Sequence, residues 1–342
     1  MGVAYLNVAP TKFINGVLSL IKLYKYLSEP FKLFEEGYIR LTQHSVLNDP
    51  FEASFCATSL DTLFKSFDEG EIYGRSDEVS SASQYVDKNI PSVGIISFSK
   101  RKDNLLMWAH YGNNHRGIAA GLNWFGLYSK NIFEQLMPAE CSCPEGSLFD
   151  GIPKAVSYEK SLTYQNTEFD YDYSSIYEQG ADRFLYDVFM QKSEEWIYEQ
   201  EYRVVLLLQQ ADRVIVPSLD FERIKNEEVK RSIANSSKTT FDGEKYTINL
   251  NEFEIEADDY TEERAVVASE LASLSNSTNV IYLMKLDSSL ICSCVIGERS
   301  EVSKESFNKN HVNKTGYFDI FTVEKNTKNY TLDFKLESSN RF

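Results

Sequence analysis

Proline and cysteine are scarce in this chain, long apolar runs are missing, and there is no surplus of basic residues. With eight prolines in 342 residues, the ring that locks φ and removes an N–H donor is too rare to dominate the backbone. Regular elements are favoured over a loop-built fold. Five cysteines do not make the disulfide framework of a small secreted domain. Cys141/Cys143 and Cys292/Cys294 each enclose a single residue, less than the gap of about two to four residues usual in structural zinc sites. Reduced, structural thiols are expected, and no metal site. No apolar run approaches the ~18–20 residues that span a bilayer. The opening MGVAYLNVAPTKFING lacks the charged, apolar and small-residue blocks of a signal peptide. The expectation is a cytoplasmic chain with no membrane partner. A formal net charge of −16 works against general nucleic-acid binding, because counterion release from phosphates needs a basic surface. Walker, GxGxxG, HExxH and GxSxG patterns are absent, which removes the nucleotide-loop, zinc-protease and serine-hydrolase routes they mark.

What is present is the composition of a folded chain. Apolar residues make up 42% and aromatics 13%, too much for a charge of this size to keep the chain disordered. The length allows one large domain or two ordinary ones. The expected class is α+β, with a mixed, largely antiparallel sheet and flanking helices over residues 1–342. Residues 210–280, more charged than the rest, read as an insertion or subdomain.

Periodicity places the elements. Phe13, Val17, Leu18, Ile21 and Tyr24 recur at helical spacing, so a helix over 13–27 with a short strand-like end is predicted. YIRLTQ (38–43) alternates as a strand, and Asn48-Asp49-Pro50 is turn chemistry. A loop or weak helix is expected over 66–90. GIISFSK (94–100) is a buried strand, followed by a short helix with Asp103 as N-cap that ends at Gly112. A second helix is expected from Asp182 to Tyr198, leading into the strand YRVVLLLQ (202–209), whose unbroken apolar character suits burial on both faces. LICSCVIG (290–297) reads as a buried strand, and a short helix after Ser303 and two closing strands finish the chain.

Three constellations carry candidate chemistry. Trp108, His110 and Tyr111 crowd the end of the short helix, and histidine is the usual proton carrier near neutral pH; core packing of Trp108 with a hydrogen-bonded His110 is the alternative. In WIYEQEYR (196–203), a strand starting near Tyr198 sets Glu199, Glu201 and Arg203 on one face. Charges on an otherwise apolar strand are costly unless paired or functional. Like-charged neighbours raise one carboxyl pKa while an arginine holds the other ionised. Such a set can hold a ribose diol, protonate a leaving group, or form a structural ion network. Lys100-Arg101-Lys102, just before a helix, is either a phosphate-binding corner or a solvated turn.

LYKYLS (23–28), IRLTQHSVLNDPFE (39–52), residues 94–124, VSYEK (156–160), KSEEWIYEQEYRVV (192–205) and VIG (295–297), in this order, resemble a bacterial family catalogued as domain of unknown function 2971. In layout that family is similar to the ADP-ribosyltransferase-like enzymes, which implies NAD or a related nucleotide as substrate rather than a tightly bound cofactor. A macromolecular acceptor, and a role as toxin or phage-defence effector, are implied in the same way. The resemblance casts Glu201 as the carboxylate gripping the ribose 2′-hydroxyl and Glu199 as the acceptor-activating group. Tyr26 or Arg40 takes the early-strand contact, and Lys25 and Tyr26 stand where that superfamily carries a histidine. His110 and Tyr111 line the pocket, and Asn48, Trp108 and Arg203 complete the nucleotide-contacting set. A non-catalytic binding or sensing module, and a glycosidic-bond hydrolase using Glu199 and Glu201 at the inverting spacing, are the other two readings.

Overall fold

Runs rich in leucine, isoleucine and tyrosine form β1 (Leu20–Leu27) and β2 (Tyr38–Gln43), and the valine, isoleucine and phenylalanine run VGIISFS forms β3 (Val93–Ser99). The computed structural model describes residues 20–28, 31–65, 81–125, 131–138, 148–165, 180–253, 262–302 and 317–341. Later strands are β4 (Ile118–Phe125), β5 (Lys154–Ala155), β6 (Ser157–Glu159), β7 (Gln191–Ser193) and β8 (Glu201–Leu207). They continue with β9 (Arg213–Pro217), β10 (Thr239–Phe241), β11 (Lys245–Asn249) and β12 (Ile281–Lys285). The last are β13 (Ile291–Ile296), β14 (Tyr317–Lys325) and β15 (Leu332–Arg341). Short helices α1 (Phe31–Glu36), α2 (Ala57–Phe64), α3 (Ala82–Asn89), α4 (Leu105–His110) and α5 (Ala181–Val188) lie between the strands, with three more later in the chain, Ser218–Phe221, Glu227–Asn235 and Glu262–Ala272. The class is α+β. Among the described strands only β13–β14 and β6–β7 pair in parallel.

Thirteen of the described strands join in one sheet, ordered β10-β11-β9-β12-β2-β3-β1-β4-β13-β14-β15, with β8 attached to β3 and β5 to β8. The centre of this sheet is split. β8 covers one edge of β3 along its whole length, from Val93↔Leu207 to Ser99↔Glu201. The other edge is shared: β2 pairs with it at Gly94 and Ile95, and β1 only at Ser99. Ile96 to Phe98 therefore have no strand partner on that side. One wing runs outward from β1 and the other from β2. Gly94, where β2 still pairs with β3, is packed closely: a Cβ at this glycine would meet Leu41 Cγ at 2.6 Å.

The core fills both wings. Leu23, Leu41, Ile96, Val204 and Leu206 are buried in the larger cluster, and Trp108 anchors a smaller one with Tyr24, Tyr26, Met107, Val295 and Val323. Residues 210–280 supply β9, β10 and β11, which extend the β2 wing through β12.

Several local expectations are corrected. The span 20–27 is a strand, not a helix, because all eight of its residues pair with β4; residues 13–19 lie outside the described residues. The helix from Asp182 stops at Val188 and gives way to β7 and a 3₁₀ turn over Glu194–Glu199, capped by Ser193. Gln191–Ser193 leaves the helix to pair with Ser157–Glu159. Asn104, not Asp103, caps α4, accepting hydrogen bonds from the Leu106 and Met107 N–H groups. Asp103 is instead taken by Arg101. Of the loop or weak helix expected over 66–90, residues 66–80 lie outside the described residues, and the remainder holds helix α3. Cys292 and Cys294 fall on β13 as expected, with Cys294 buried. Cys141, Cys143 and the helix expected after Ser303 lie outside the described residues. Among the described residues, no helix is long and apolar enough to cross a membrane.

Candidate functional site at the split in the sheet

Where β1 and β2 part, the sheet leaves a cavity of about 190 Å³. Its walls are aliphatic and aromatic: Val46, Leu47, Ile95, Phe98 and Met107. Its floor is charged. The β3–β8 register sets Glu201 opposite Ser99 and Arg203 opposite Ser97, and directly opposed residues share a face. The alternation of Ile95, Ser97 and Ser99 thus turns the polar positions of an otherwise apolar strand toward the cavity, over Glu201.

Arg203 is fully buried and uses all five of its guanidinium N–H groups. Nε and Nη2 donate to the two Glu201 carboxylate oxygens at 2.8 and 2.9 Å. Nη1 and Nη2 donate to Glu52 at 3.0 and 3.1 Å, and Nη1 also to the Phe189 carbonyl. Glu52 comes from the Asn48-Asp49-Pro50 turn, where the Asp49 side chain accepts from the Phe51 N–H. Lys192, on β7, drives its ammonium among three carboxylates: Glu199 at 2.8 Å, Glu52 at 3.3 Å and Glu201 at 3.4 Å. The Trp196 ring covers the same ammonium at 4.8 Å. Burial opposes the Lys192 charge, but Glu201, Glu52 and Glu199 together outweigh it and hold its pKa well above the ordinary lysine range.

Glu199 does not sit on the strand. It ends the 3₁₀ turn, and Gln200 reverses the chain in a left-handed conformation (φ 44°) before β8 begins. The turn is fixed from three sides. Ser99 Oγ donates to the Glu199 carbonyl at 2.7 Å, the Lys100 N–H donates to the Gln200 carbonyl, and Asn104 Nδ2 donates to the Tyr198 carbonyl at 2.6 Å. Both glutamates nevertheless converge on the Lys192 ammonium, and Tyr111 hydroxyl donates to Glu199 Oε1 at 2.7 Å. Their environments push them in opposite directions. For Glu201 burial opposes ionisation, but Arg203 and then Lys192 overcome it and hold the carboxyl at about 2. For Glu199 burial prevails over the attraction of Lys192, and the pKa lies above its ordinary value. A pair of carboxyls driven apart in this way is the usual arrangement for dividing acid–base labour.

Of the residues singled out in the sequence, the cavity gathers Tyr26, Asn48, Tyr111, Glu199 and Glu201. Arg203 lies beneath, behind Glu201. Tyr26 presents its ring, its hydroxyl being donated to the Arg101 carbonyl at 2.8 Å. The remainder lie elsewhere. Trp108 is core: its indole N–H donates to the Lys102 carbonyl at 2.8 Å and its ring meets Tyr26 edge-on at 5.0 Å. His110 is exposed at the end of α4 and is not among the residues lining the cavity. Arg40 donates to Gln43 Oε1 at 3.5 Å. The basic triplet is dispersed: Arg101 is bidentate on Asp103, Lys102 lies 4.5 Å from the Phe321 and Phe334 rings, and Lys100 is exposed beside Tyr202. Glu52, Ser97 and Lys192 join the site without having been singled out for it, and Lys25, noted only as standing where the superfamily carries a histidine, lines it too. A glutamate closing a turn and a lysine opening the KSEEWIYEQ block were the traces that Glu52 and Lys192 left. Among the described residues no cluster of histidine, cysteine and carboxylate groups is arranged to hold a metal ion.

A split α+β sheet with an ion network under a small cleft defines the architecture. Residues 107–204 match the family model described as Protein of unknown function (DUF2971). That stretch contains Tyr111, Lys192, Glu199, Glu201 and Arg203. No curated protein and no solved structure matches the chain.

Proposed function

We propose that the cleft is an active site acting on the N-glycosidic bond of a nucleotide such as NAD, passing the ADP-ribosyl group to a macromolecular acceptor. The observation that carries this reading is the glutamate pair on the cavity floor, one carboxyl held ionised and the other raised. Glu201 supplies a permanent negative charge beside the sugar and accepts from its 2′-hydroxyl. There it stabilises the cationic carbon that forms as the C1″–N bond breaks, while the bonding pair leaves on the nicotinamide nitrogen and neutralises its charge. The acceptor then adds its own electron pair to C1″ and gives its proton to Glu199, which Tyr111 orients. Electrostatic assistance of this kind is worth about 3–4 kcal/mol, or roughly 10²–10³ in rate. The cavity of about 190 Å³ is smaller than the ~300–1,000 Å³ that encloses a drug-sized ligand. It suits the nicotinamide–ribose end, with the adenylate outside.

One observation favours binding without turnover: both Glu201 oxygens already accept from Arg203, the rigid arrangement a recognition pocket also needs. The inverting hydrolase draws less support, because Lys192 occupies the space between the two carboxylates where the attacking water belongs. Incubation with NAD labelled in the adenylate, alongside a bacterial lysate, separates the three readings. Label on a polymer with free nicotinamide supports transfer. Free ADP-ribose alone indicates hydrolysis, and unaltered NAD leaves a binding module.

A further inference from the structure

The cavity holds a second lysine whose surroundings are the reverse of those of Lys192. Lys25 stands on β1 where that strand leaves β3, and its Nζ donates to the Ser97 carbonyl at 3.0 Å, on the edge of β3 that the split leaves without a strand partner. Its side chain lines the cavity. Three carboxylates hold Lys192 as a cation, whereas among the described residues no carboxylate lies within 4.0 Å of the Lys25 ammonium nitrogen. An amine that gives one N–H to a carbonyl oxygen keeps its lone pair unengaged. Glu199, whose carboxyl pKa is raised by burial, lines the same cavity.

We infer that Lys25 is an amine nucleophile that captures an aldehyde of small-sugar size in this cavity as a Schiff base. The Lys25 nitrogen lone pair adds to the carbonyl carbon while the C=O π pair moves to oxygen. Glu199 takes a proton from the nitrogen and passes it to that oxygen, giving a carbinolamine. A second relay through Glu199 protonates the hydroxyl. The C–O bond breaks, water leaves, and C=N forms as nitrogen sheds its other proton. One water is released, nothing is oxidised or reduced, and Glu199 ends as it began.

The electrostatics agree with the geometry. Burial draws the Lys25 pKa down to about 8, against the pull of Glu201 on β8 and with the push of Arg40 on β2. Glu52, Glu199, Lys192 and Tyr111 are the other charged or titratable groups around it, and Tyr24 and Tyr26 flank it on β1. Near neutral pH such a lysine holds on the order of 10²-fold more free amine than an exposed one.

The inference goes beyond the glycosyl-transfer reading and needs no NAD. Glyceraldehyde with cyanoborohydride, which reduces the imine to a stable secondary amine, tests it by peptide mass mapping. Lys25 should be labelled at least roughly tenfold faster than the exposed lysines at about pH 7, and that advantage should shrink by about pH 9 as the exposed amines deprotonate. Lys192 should stay unlabelled. Lys25→Arg, which keeps a cation and a donor for Ser97, should lose the fast adduct while keeping the parent circular dichroism and melting curve. Adducts spread evenly over exposed lysines, or a fast adduct that survives in Lys25→Arg, would overturn it. A protein that releases nicotinamide yet captures no aldehyde keeps the first reading and loses this one; the converse result does the opposite.

Discussion

Replacing Glu201 by glutamine keeps the shape of the side chain and deletes one charge from a buried network, so its cost can be worked from the structure. The carboxyl is 3% exposed and held at about 2, against an ordinary value of 4.5. At roughly 1.4 kcal/mol per pKa unit, this difference is worth about 3 kcal/mol of folding stability. The folded-state pKa is the lower one, so the contribution is fully present above the unfolded value and is lost as pH falls through the folded value. The gap between parent and Glu201→Gln should therefore be about 3 kcal/mol at neutral pH. It should begin to close below the ordinary glutamate range and be nearly gone near pH 2. Urea unfolding followed by tryptophan fluorescence at a series of pH values gives the curve directly. A gap that stays constant down to the acid end would refute the reasoning, since it would mean that the charge on Glu201 contributes nothing and only side-chain packing was disturbed.

The same network yields two further expectations, and the packing at Gly94 a third. Lys192→Met leaves Glu52, Glu199 and Glu201 without their shared cation and should cost about 3–5 kcal/mol, read from the urea midpoint. Tyr111→Phe removes the donor that favours ionised Glu199. It should cost about 1–2 kcal/mol and move the acid limb of any pH–rate profile to higher pH. Gly94→Ala drives a methyl group against Leu41 and Leu208, 2.6 and 2.8 Å from the new Cβ. Overpacking of about 1–3 kcal/mol should follow, seen as a lower melting temperature.

Part of this site was legible before the fold. Two glutamates and an arginine spaced two apart, beside an apolar strand, announce buried charge whatever the tertiary structure, and Glu201 and Arg203 do share a face. Glu199 reaches the same ammonium by a different route, through a 3₁₀ turn and a left-handed Gln200. Periodicity does not reveal such a turn, because Glu194–Glu199 continues the helical spacing of α5. The partners were invisible for a simpler reason. Glu52 lies 151 residues from Arg203, and only the pairing of β2 and β8 with a common β3 brings its turn to the cluster. β1 was misread because Ile21 and Tyr24 suit a helical period as well as a strand, and pairing with β4 decides between them. His110 attracted notice as a histidine at an aromatic helix end, and α4 turns it to solvent.

Nicotinamide release from NAD by parent, Glu199→Gln and Glu201→Gln protein, each at a pH where all three are folded, tests the central assignment most directly. The parent should release nicotinamide, and Glu201→Gln should be slower by roughly 10²–10³. Glu199→Gln should still release it while losing transfer to the acceptor. Release by Glu201→Gln at the parental rate, or none from the parent, would contradict the account.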